Sequence, residues 1–358
     1  MQAPVIERIE QATSLPPAWD ECAKNYFQRR EFLQHTDQFN PCRQRYYLVW
    51  EGEQLIAGAC VYNLSIHLFT FSNIPSKISM TVMGIPASIS ASGIFGKTIA
   101  DQELLIRHIL KHEKGLLLGL NLSPDLHSDP AIDMTMMPTV VMEHNFDSLS
   151  EYTSTLRSNY RRRINQLIKA FKGVENTKTN CLIFSEKHYE LYQQIMLRTK
   201  NKLEILSLDY FKNLPENFYL TSYYHKGKLL CWHINCIDGN KLFFFFGGHD
   251  YRLLPAYQSY FNNLFGILKE AIEEGYQYID FGQTAELAKM KTGGQISEKR
   301  LFLYHRNSLF RRLISICKPL IAYRLPKAIV HPLKQNDQVY QNKNGSHENT
   351  LRKTATIS

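Results

Sequence analysis

A carboxylate and two lysines follow one predicted strand in the last third of the chain. The run YQYIDFG, residues 276 to 282, predicts a strand that carries Asp280 at its end, and Lys289 and Lys291 come shortly after it. A carboxylate placed there could take a proton from an attacking amine, and a lysine could bind a phosphate or stabilise an oxyanion. Gln283 extends the same edge as a candidate ligand contact. The simpler alternatives are that Asp280 caps a turn and that both lysines are solvated.

Histidine and tyrosine supply further candidates for proton transfer. His233 lies in the alternating run CWHINC, and His249 follows the apolar run FFFFGG. Histidine can act as a base near neutral pH, although a histidine on a strand is more often part of the core or the surface. Tyr257, at the start of a predicted helix, could donate a proton to a leaving thiolate or a ribose hydroxyl, or could simply pack.

Several other kinds of site are disfavoured. Cys231, His233 and Cys236 lie on one predicted strand, where their side chains do not converge on a metal ion. The Asp280-Phe281-Gly282 triplet does not indicate a kinase, because the chain has no Gly-rich loop and its H-R-N stretch follows the triplet. A G-x-S-x-G elbow of a hydrolase is also missing from the sequence. We therefore expect no metal, kinase or hydrolase site.

The positive charge is concentrated in two segments. The 358 residues carry a formal net charge of +9 at pH 7. Residues 151 to 172, which include Arg161, carry +5, and residues 304 to 335 carry +7 with no acidic residue. The first segment could bind a phosphate-rich donor, and the second, which mixes apolar and basic residues, could lie on an anionic membrane surface. Solvated or packed surfaces are the alternatives.

The elements that would position these residues recur along the chain. Two hairpins are predicted, at residues 46 to 64 and 218 to 237, and each is followed by a strand, a helix and another strand. The second of these helices, residues 256 to 274, has apolar side chains at spacings of three and four, and Gly275 can end it. The order predicts a mixed sheet packed by helices and weakly indicates a duplication.

Two further helices are predicted. One covers residues 17 to 30, and the other covers residues 151 to 172 behind a capping box with S-x-x-E spacing. The arginines of the second helix occupy the face opposite its apolar residues. This helix would therefore present its charge to solvent or to a ligand.

The second half is similar to a known family. The helix RSNYRRRINQLIKAF, the YIDFG strand after its central helix, and a lysine followed by Gly293 resemble the FemAB-like branch of the GNAT superfamily of N-acetyltransferases. The first half, with its hairpin and VMGIPAS segment, is similar to the degenerate GNAT-like half of tandem members. The resemblance covers about residues 15 to 310. It implies an α+β (mixed α/β) fold of two tandem GNAT-like domains, each a mixed, mostly antiparallel sheet flanked by helices.

This resemblance divides the chain into four parts. Residues 1 to 146 would form the degenerate first domain, and residues 147 to 310 the acyltransferase domain. Residues 311 to 335 are the basic amphipathic segment. Residues 336 to 358 are polar and rich in Asn, which predicts a disordered tail.

The implied activity is transfer of an acyl or aminoacyl group to an amine, for example on a cell-envelope or lipid-linked acceptor. The donor would be acyl-CoA or aminoacyl-transfer RNA, used as a co-substrate without any tightly bound cofactor. The candidate catalytic residues are Asp280, Lys289, Lys291 and His233, and the candidate donor-binding residues are Arg161, Arg252, Tyr257 and Gln283. Members that use acyl-CoA have a Gly-rich loop before the central helix, and here Pro255 replaces its first glycine.

The alternative function is a catalytically inactive GNAT-like module that binds a phosphorylated ligand or a nucleic acid. Transfer RNA is then a candidate partner, while DNA is not expected. No apolar stretch of the sequence is long enough to span a membrane, and the first residues do not form a signal sequence. We therefore expect a cytoplasmic protein, and the basic segment at residues 304 to 335 would allow it to be peripheral at the inner face of the membrane.

Overall fold

The computed structural model describes residues 3–69, 72, 74, 76–87, 89–199, 203–326 and 330–334. The predicted tail, residues 336 to 358, lies outside the described residues. The strands are β1 Val5–Ile9, β2 Arg45–Glu51, β3 Gln54–His67, β4 Lys77–Met83, β5 Ile94–Gly96, β6 Leu117–Leu122, β7 Ile132–Glu143, β8 Glu175–Asn180, β9 Phe218–His225, β10 Lys228–Asp238, β11 Lys241–His249, β12 Tyr278–Asp280 and β13 Gln295–Tyr304.

The helices lie between these strands and after the last of them. They are α1 Ala18–Cys22, α2 Arg30–Phe39, α3 Ile99–His112, α4 Leu149–Thr155, α5 Ser158–Ala170, α6 Glu186–Arg198, α7 Leu208–Lys212, α8 Leu254–Tyr257, α9 Ser259–Glu274, α10 Glu286–Met290 and α11 Ser308–Ile321. No helix of the described residues has both the length and the apolar character needed to cross a membrane.

All the described strands belong to one sheet. Its order is β1-β2-β3-β4-β6-β13-β7-β12-β11-β10-β9-β8, with β5 beside β3. The pairs β4–β6 and β11–β12 are parallel, and the other neighbouring pairs are antiparallel. The sequence prediction of a mixed, mostly antiparallel sheet flanked by helices is confirmed, although the two halves share a single continuous sheet.

The two halves have the same topology. In each, an antiparallel run of strands (β1 to β4, then β8 to β11) is followed by a helix and a strand parallel to the last member of the run. The helices α3 and α9 each bury one apolar face, which for α9 includes Leu264, Ile267, Leu268 and Ala271. Both predicted hairpins are confirmed, as β2–β3 and β9–β10.

The halves exchange their last strands at the centre of the sheet. β7, which follows the first-half strand β6, pairs with β12 of the second half. β13, which follows β12 in the chain, lies between β6 and β7 and pairs with both. Each half therefore supplies a strand that pairs with a strand of the other half, β7 with β12 and β13 with β6.

Three predicted helices are interrupted. The predicted helix at residues 17 to 30 is instead α1, a 3-10 turn and the start of α2. The basic helix breaks between α4 and α5, where Leu156 bridges to Leu333 and the Arg157 N–H donates to the Pro332 carbonyl. The predicted helix at residues 256 to 274 is divided into α8 and α9 at Gln258.

The predicted helix ends are largely confirmed. Ser148 caps α4 by accepting the Glu151 N–H at its hydroxyl, at the predicted S-x-x-E spacing. The Glu151 carboxylate accepts the Asp147 N–H. Gly275 ends α9 with a φ of +80°, in the left-handed region that glycine enters without strain.

Candidate functional site

A cavity opens where β11 and β12 separate. The two strands pair in parallel over three residues only, and Asp280 opposite Phe243 is the last pair. β11 continues to His249 without β12 beside it. The chain after Asp280 stays next to β7, where the Phe281 N–H donates to the Val140 carbonyl. Side chains and loops from both halves enclose about 460 Å³ in the space between.

The cavity wall is largely apolar and is shared by the two halves. Its apolar residues include Ile66, Leu68, Ile89, Leu118, Leu120, Met136, Met137, Ile195, Met196, Leu203, Phe243, Phe244, Phe245, Leu264, Leu301, Leu303 and Ile321. Polar groups gather where the strands part, and these include Ser90, Asp280, Gln283 and Lys289. An apolar cavity with a few convergent polar groups is the usual form of a small-molecule site.

Asp280 ends β12 at the polar end of the cavity. It is 9% exposed, and its Oδ1 accepts the Gly282 N–H at 2.6 Å while its Oδ2 accepts the Ser90 hydroxyl at 3.2 Å. Burial raises the pKa of the Asp280 carboxyl above its ordinary value, and the Gly282 N–H, Lys299, Lys289 and Ser90 oppose that rise. Burial thus makes this carboxyl a weaker acid than a solvated one, while the four contacts favour its charged form.

Lys289 lies on the short helix α10 and points into the cavity. Only 2% of the residue is exposed, and its Nζ donates to the Gln283 carbonyl at 2.6 Å. Burial lowers the pKa of the Lys289 ammonium to about 7, although Asp280 and Glu286 oppose the change. The lysine can therefore act as an acid or a base near neutral pH.

The backbone between Asp280 and α10 is tightly turned. Gly282, Thr284 and Ala285 have φ values of +71°, +68° and +50°, in the left-handed region where the latter two residue types are strained. The turn brings Lys289 back over the strand end. Such strain persists where the surrounding contacts hold it, and here Lys289 Nζ donates to the Gln283 carbonyl within the turn at 2.6 Å.

Asn121 of β6 holds two loops of the site together. Its Nδ2 donates to the Ile89 carbonyl at 2.7 Å, beside Ser90, and its Oδ1 accepts Gln283 Nε2 at 2.9 Å. Gln283 Nε2 also donates to the Met137 carbonyl at 2.7 Å. Gln283 thus connects the second half to the first, in addition to lining the cavity.

His249 adds a neutral imidazole to the cavity wall. It is 6% exposed, and burial lowers its pKa to about 4. Within the described part of the chain, its Nδ1 has no hydrogen-bond partner. A buried ring nitrogen without a partner is available to a bound ligand.

A second, basic cleft lies on the other side of α10. Its lining is Asn159, Tyr160, Arg162, Arg163, Gln166 and Lys291, and its volume is about 290 Å³. The guanidinium of Arg163 lies 4.4 Å from the ring centre of Phe261, in the first turn of α9. Because Tyr260 in the same turn lines the apolar cavity, this turn contacts both the cavity and a residue of the cleft.

Comparison with solved structures relates this architecture to known proteins. The L-PGS of Bacillus licheniformis matches with a TM-score of 0.52 over 87% of this chain and 98% of that one, at 12% identity. The chain has a GNAT-like fold. Weaker matches include FemX, with a TM-score of 0.47 over 78% of this chain and 92% of that one at 13% identity. A GCN5-related N-acetyltransferase from Anabaena variabilis matches with a TM-score of 0.42 over 91% and 77%, also at 13% identity.

Sequence comparison alone does not lead to this fold. No protein-family model matches the chain, and a search of curated proteins finds no significant match. The fold is therefore shown by the structural comparison.

Within the GNAT-like fold, the predicted catalytic residues occupy three different places. Asp280 and Lys289 line the cavity together, as Gln283 does. Lys291 lines the basic cleft. His233 is fully buried on β10, where its Nδ1 and the Asn263 Oδ1 lie 2.7 Å apart. We interpret His233 as part of a buried polar network that positions α9.

The other predicted donor-binding residues line neither the cavity nor the cleft. Arg161 is half-buried on α5, beside the cleft residues Arg162 and Arg163. Arg252 has an exposed side chain that pairs with Asp250 at 3.2 Å. Tyr257 packs against the ring of His225, with ring centres 5.4 Å apart.

Several site residues were not singled out from the sequence. Ser90 lies in a first-half loop, and its only signal was its place just after the VMGIPAS segment. Asn121 and Lys299 come from strands that meet Asp280 only through the exchange of β7 and β13. Because both residues are distant from Asp280 in the sequence, no short motif links them to it.

Proposed function

We propose that the protein transfers an acyl or aminoacyl group from an ester or thioester donor to an amine acceptor. The observation that carries this proposal is the pair Asp280 and Lys289 at the polar end of an apolar cavity. The two groups have pKa values displaced by burial in the directions that acid–base chemistry near neutral pH requires. The GNAT-like fold is consistent with this reaction class.

In the proposed reaction, the Asp280 carboxylate takes a proton from the attacking amine. The amine nitrogen forms a bond to the donor carbonyl carbon, and the carbonyl oxygen becomes an oxyanion. The Lys289 ammonium stabilises that oxyanion and donates a proton to the leaving thiolate or ribose oxygen as the C–S or C–O bond breaks. Because the site is buried, these charge interactions are stronger than in water.

The basic cleft supports a donor that carries phosphates. Arg162, Arg163 and Lys291 line it without any acidic residue, as a phosphate chain requires. Acyl-CoA and aminoacyl-transfer RNA share this chemistry. The first turn of α9 contacts both the cleft and the cavity, so one donor could place its phosphates in the cleft and its acyl group in the cavity.

The apolar wall supports an acyl chain or a lipid-linked acceptor. A volume of about 460 Å³ lined mainly by Phe, Leu, Ile and Met side chains exceeds what an acetyl group needs. We therefore place a long apolar group of one substrate in the cavity. The donor acts as a co-substrate that leaves after each turnover.

The test combines a donor screen with one substitution. Acetyl-CoA, longer acyl-CoAs and aminoacylated transfer RNA are offered with amine acceptors, and transfer is followed by mass spectrometry. Asp280→Asn keeps the carbonyl oxygen that accepts the Gly282 N–H, and should lower turnover by about 10²- to 10⁴-fold. Asp238→Asn, a carboxylate on β10 outside the cavity wall, is the matched control.

Two outcomes would count against the proposal. Unchanged turnover in Asp280→Asn would remove that residue from the reaction. Salt-dependent binding of transfer RNA or CoA without turnover under any condition would favour the inactive binding module instead.

A further inference from the structure

The C-terminal helix α11 carries two apolar faces. Its inner face packs on the sheet through Ile314 and Ile321, which are 7% and 4% exposed. On the outer face, large apolar side chains recur at intervals of four, three and four residues and remain 42% to 74% exposed: Leu309, Leu313, Ile316 and Leu320. This spacing places them on one stripe.

An apolar stripe of this kind is unusual on a protein surface. Single exposed apolar residues are common, but four aligned on one helix form a patch that normally has a partner. Phe310, which is 52% exposed, extends the patch at the N-terminal end of the helix. The inner face already packs α11 on the sheet, so the exposed stripe is not needed to hold the helix in place.

The charge around the stripe is positive throughout. Residues 304 to 335 contain seven basic and no acidic residues. Arg312 and Lys318 are exposed on α11, and Arg324 is exposed just after it. Arg306 and Arg311 are held by backbone carbonyls at the start of the helix. A partner that contacts this surface is therefore apolar at its centre and anionic around it.

A neighbouring loop continues the surface. The Ser72 hydroxyl donates to the Leu320 carbonyl at 2.6 Å, at the C-terminal end of α11. Beyond it, Ile74 is 43% exposed, and at the start of β4 Ile78 is 37% exposed beside the exposed basic residue Lys77. These residues and the helix thus present the same mixture of apolar and basic side chains.

We propose that α11, together with Ile74 and the start of β4, docks on an anionic lipid bilayer. The stripe would enter the boundary between headgroups and acyl chains, and the lysines and arginines would contact lipid phosphates. Ile321 lines the apolar cavity while its neighbour Leu320 belongs to the stripe. Docking therefore places the cavity next to the bilayer.

Vesicle sedimentation tests the docking surface in the absence of any acyl donor. The full chain is mixed with vesicles of one part phosphatidylglycerol to two parts phosphatidylcholine, and with pure phosphatidylcholine. We expect binding to the first vesicle that weakens with salt, and at least tenfold weaker binding to the second. Equal binding to both, or none, overturns the proposal.

Paired variants separate charge from apolar contact. Arg312→Glu with Lys318→Glu, and separately Leu313→Ser with Ile316→Ser, should each weaken binding at least tenfold. Lys169→Glu with Lys172→Glu, on the other basic segment, changes the net charge equally and should have much less effect. If that control weakens binding as strongly as the α11 pair, attraction is non-specific and the proposal is wrong.

A second copy of the chain is the competing occupant of the stripe. Analytical ultracentrifugation of the wild type should give a monomer in dilute solution. A dimer that Ile316→Ser dissociates would assign the stripe to self-association and overturn the membrane proposal. Because Asp280→Asn should bind vesicles like the wild type, this test is independent of the catalytic one.

Discussion

The Ser90 hydroxyl of the first half donates a hydrogen bond to the Asp280 carboxylate of the second half, with Oγ and Oδ2 3.2 Å apart. The two residues are 190 positions apart in the sequence. The loop that carries Ser90 is held by Asn121, which also contacts Gln283. The first half therefore takes part in the candidate site directly, and the pKa of Asp280 depends on both halves.

Removing this hydrogen bond should weaken the proposed base. In Ser90→Ala the pKa of Asp280 rises further, because a donor to its charged form is lost. We expect the acidic limb of the pH–rate profile to shift to higher pH, and turnover on that limb to fall by about three- to tenfold. Ser92→Ala, two residues away, is the control. An unshifted acidic limb would contradict the role of Ser90.

The pH–rate profile should have an alkaline limb set by Lys289. Its pKa of about 7 means that the ammonium form, which the proposed mechanism uses, is lost as the pH rises through neutrality. Lys289→Arg should move that limb above about pH 9, because arginine stays protonated. Activity that rises through pH 7 in the wild type would instead make Lys289 the base.

Lys289 should also lower the stability of the folded protein. Its ordinary pKa of 10.5 falls to about 7, so the folded state disfavours the ammonium. Below about pH 7 the lysine is protonated in both states and the destabilisation is complete, and it diminishes as the pH rises toward 10.5. Lys289→Met should therefore raise the free energy of unfolding by roughly 2 kcal/mol at pH 6, and by less at pH 10.

Urea unfolding at the two pH values measures this effect. Lys291→Met, two residues away in the basic cleft, serves as the control and should change stability little. A Lys289→Met protein that is less stable than the wild type at pH 6 would mean that the lysine holds the fold together.

A charge reversal in the basic cleft should weaken the binding of the donor. Arg162→Glu should raise the KM for a phosphate-bearing donor by about tenfold with little change in kcat, because the residue lines the cleft away from the reacting atoms. Lys169→Glu makes the same charge change on the exposed part of α5 outside the cleft. Equal effects of the two substitutions would indicate general attraction, and the salt dependence of KM would confirm it.

Filling the apolar cavity should change the preferred chain length. Leu120 lines the wall from β6 and is 5% exposed. Leu120→Trp should reduce transfer with long apolar substrates at least tenfold while sparing short ones, at a stability loss of about 1 to 3 kcal/mol. Leu120→Met preserves the volume and should behave like the wild type. A uniform loss for all chain lengths would contradict an apolar-group site.

Local patterns in the sequence predict local structure well. The two hairpins, the apolar face of α9 and its end at Gly275 follow from spacing and turn residues. The break between α4 and α5 does not, because it depends on contacts of Leu156 and Arg157 with residues 332 and 333. Contacts between residues so distant in the sequence cannot be predicted from a short window of sequence.

The candidate site was predictable in part for the same reason. Asp280 and Lys289 follow one another closely, and their types indicate chemistry. The burial of Lys289 depends on left-handed backbone at Thr284 and Ala285, which neither residue type predicts. Ser90 reaches Asp280, and Asn121 reaches Gln283, only because the sheet joins the two halves.

The exchange of β7 and β13 constrains how the chain can be synthesised and folded. One edge of Leu117–Leu122 pairs with Gln295–Tyr304, so the first half exposes an unpaired strand edge until residues 295 to 304 have left the ribosome. Contacts this distant in sequence form slowly, because a long loop must close before they stabilise anything. A nascent chain stopped before β13 would expose an open, apolar sheet edge. That edge must be kept from pairing with other chains until β13 is made.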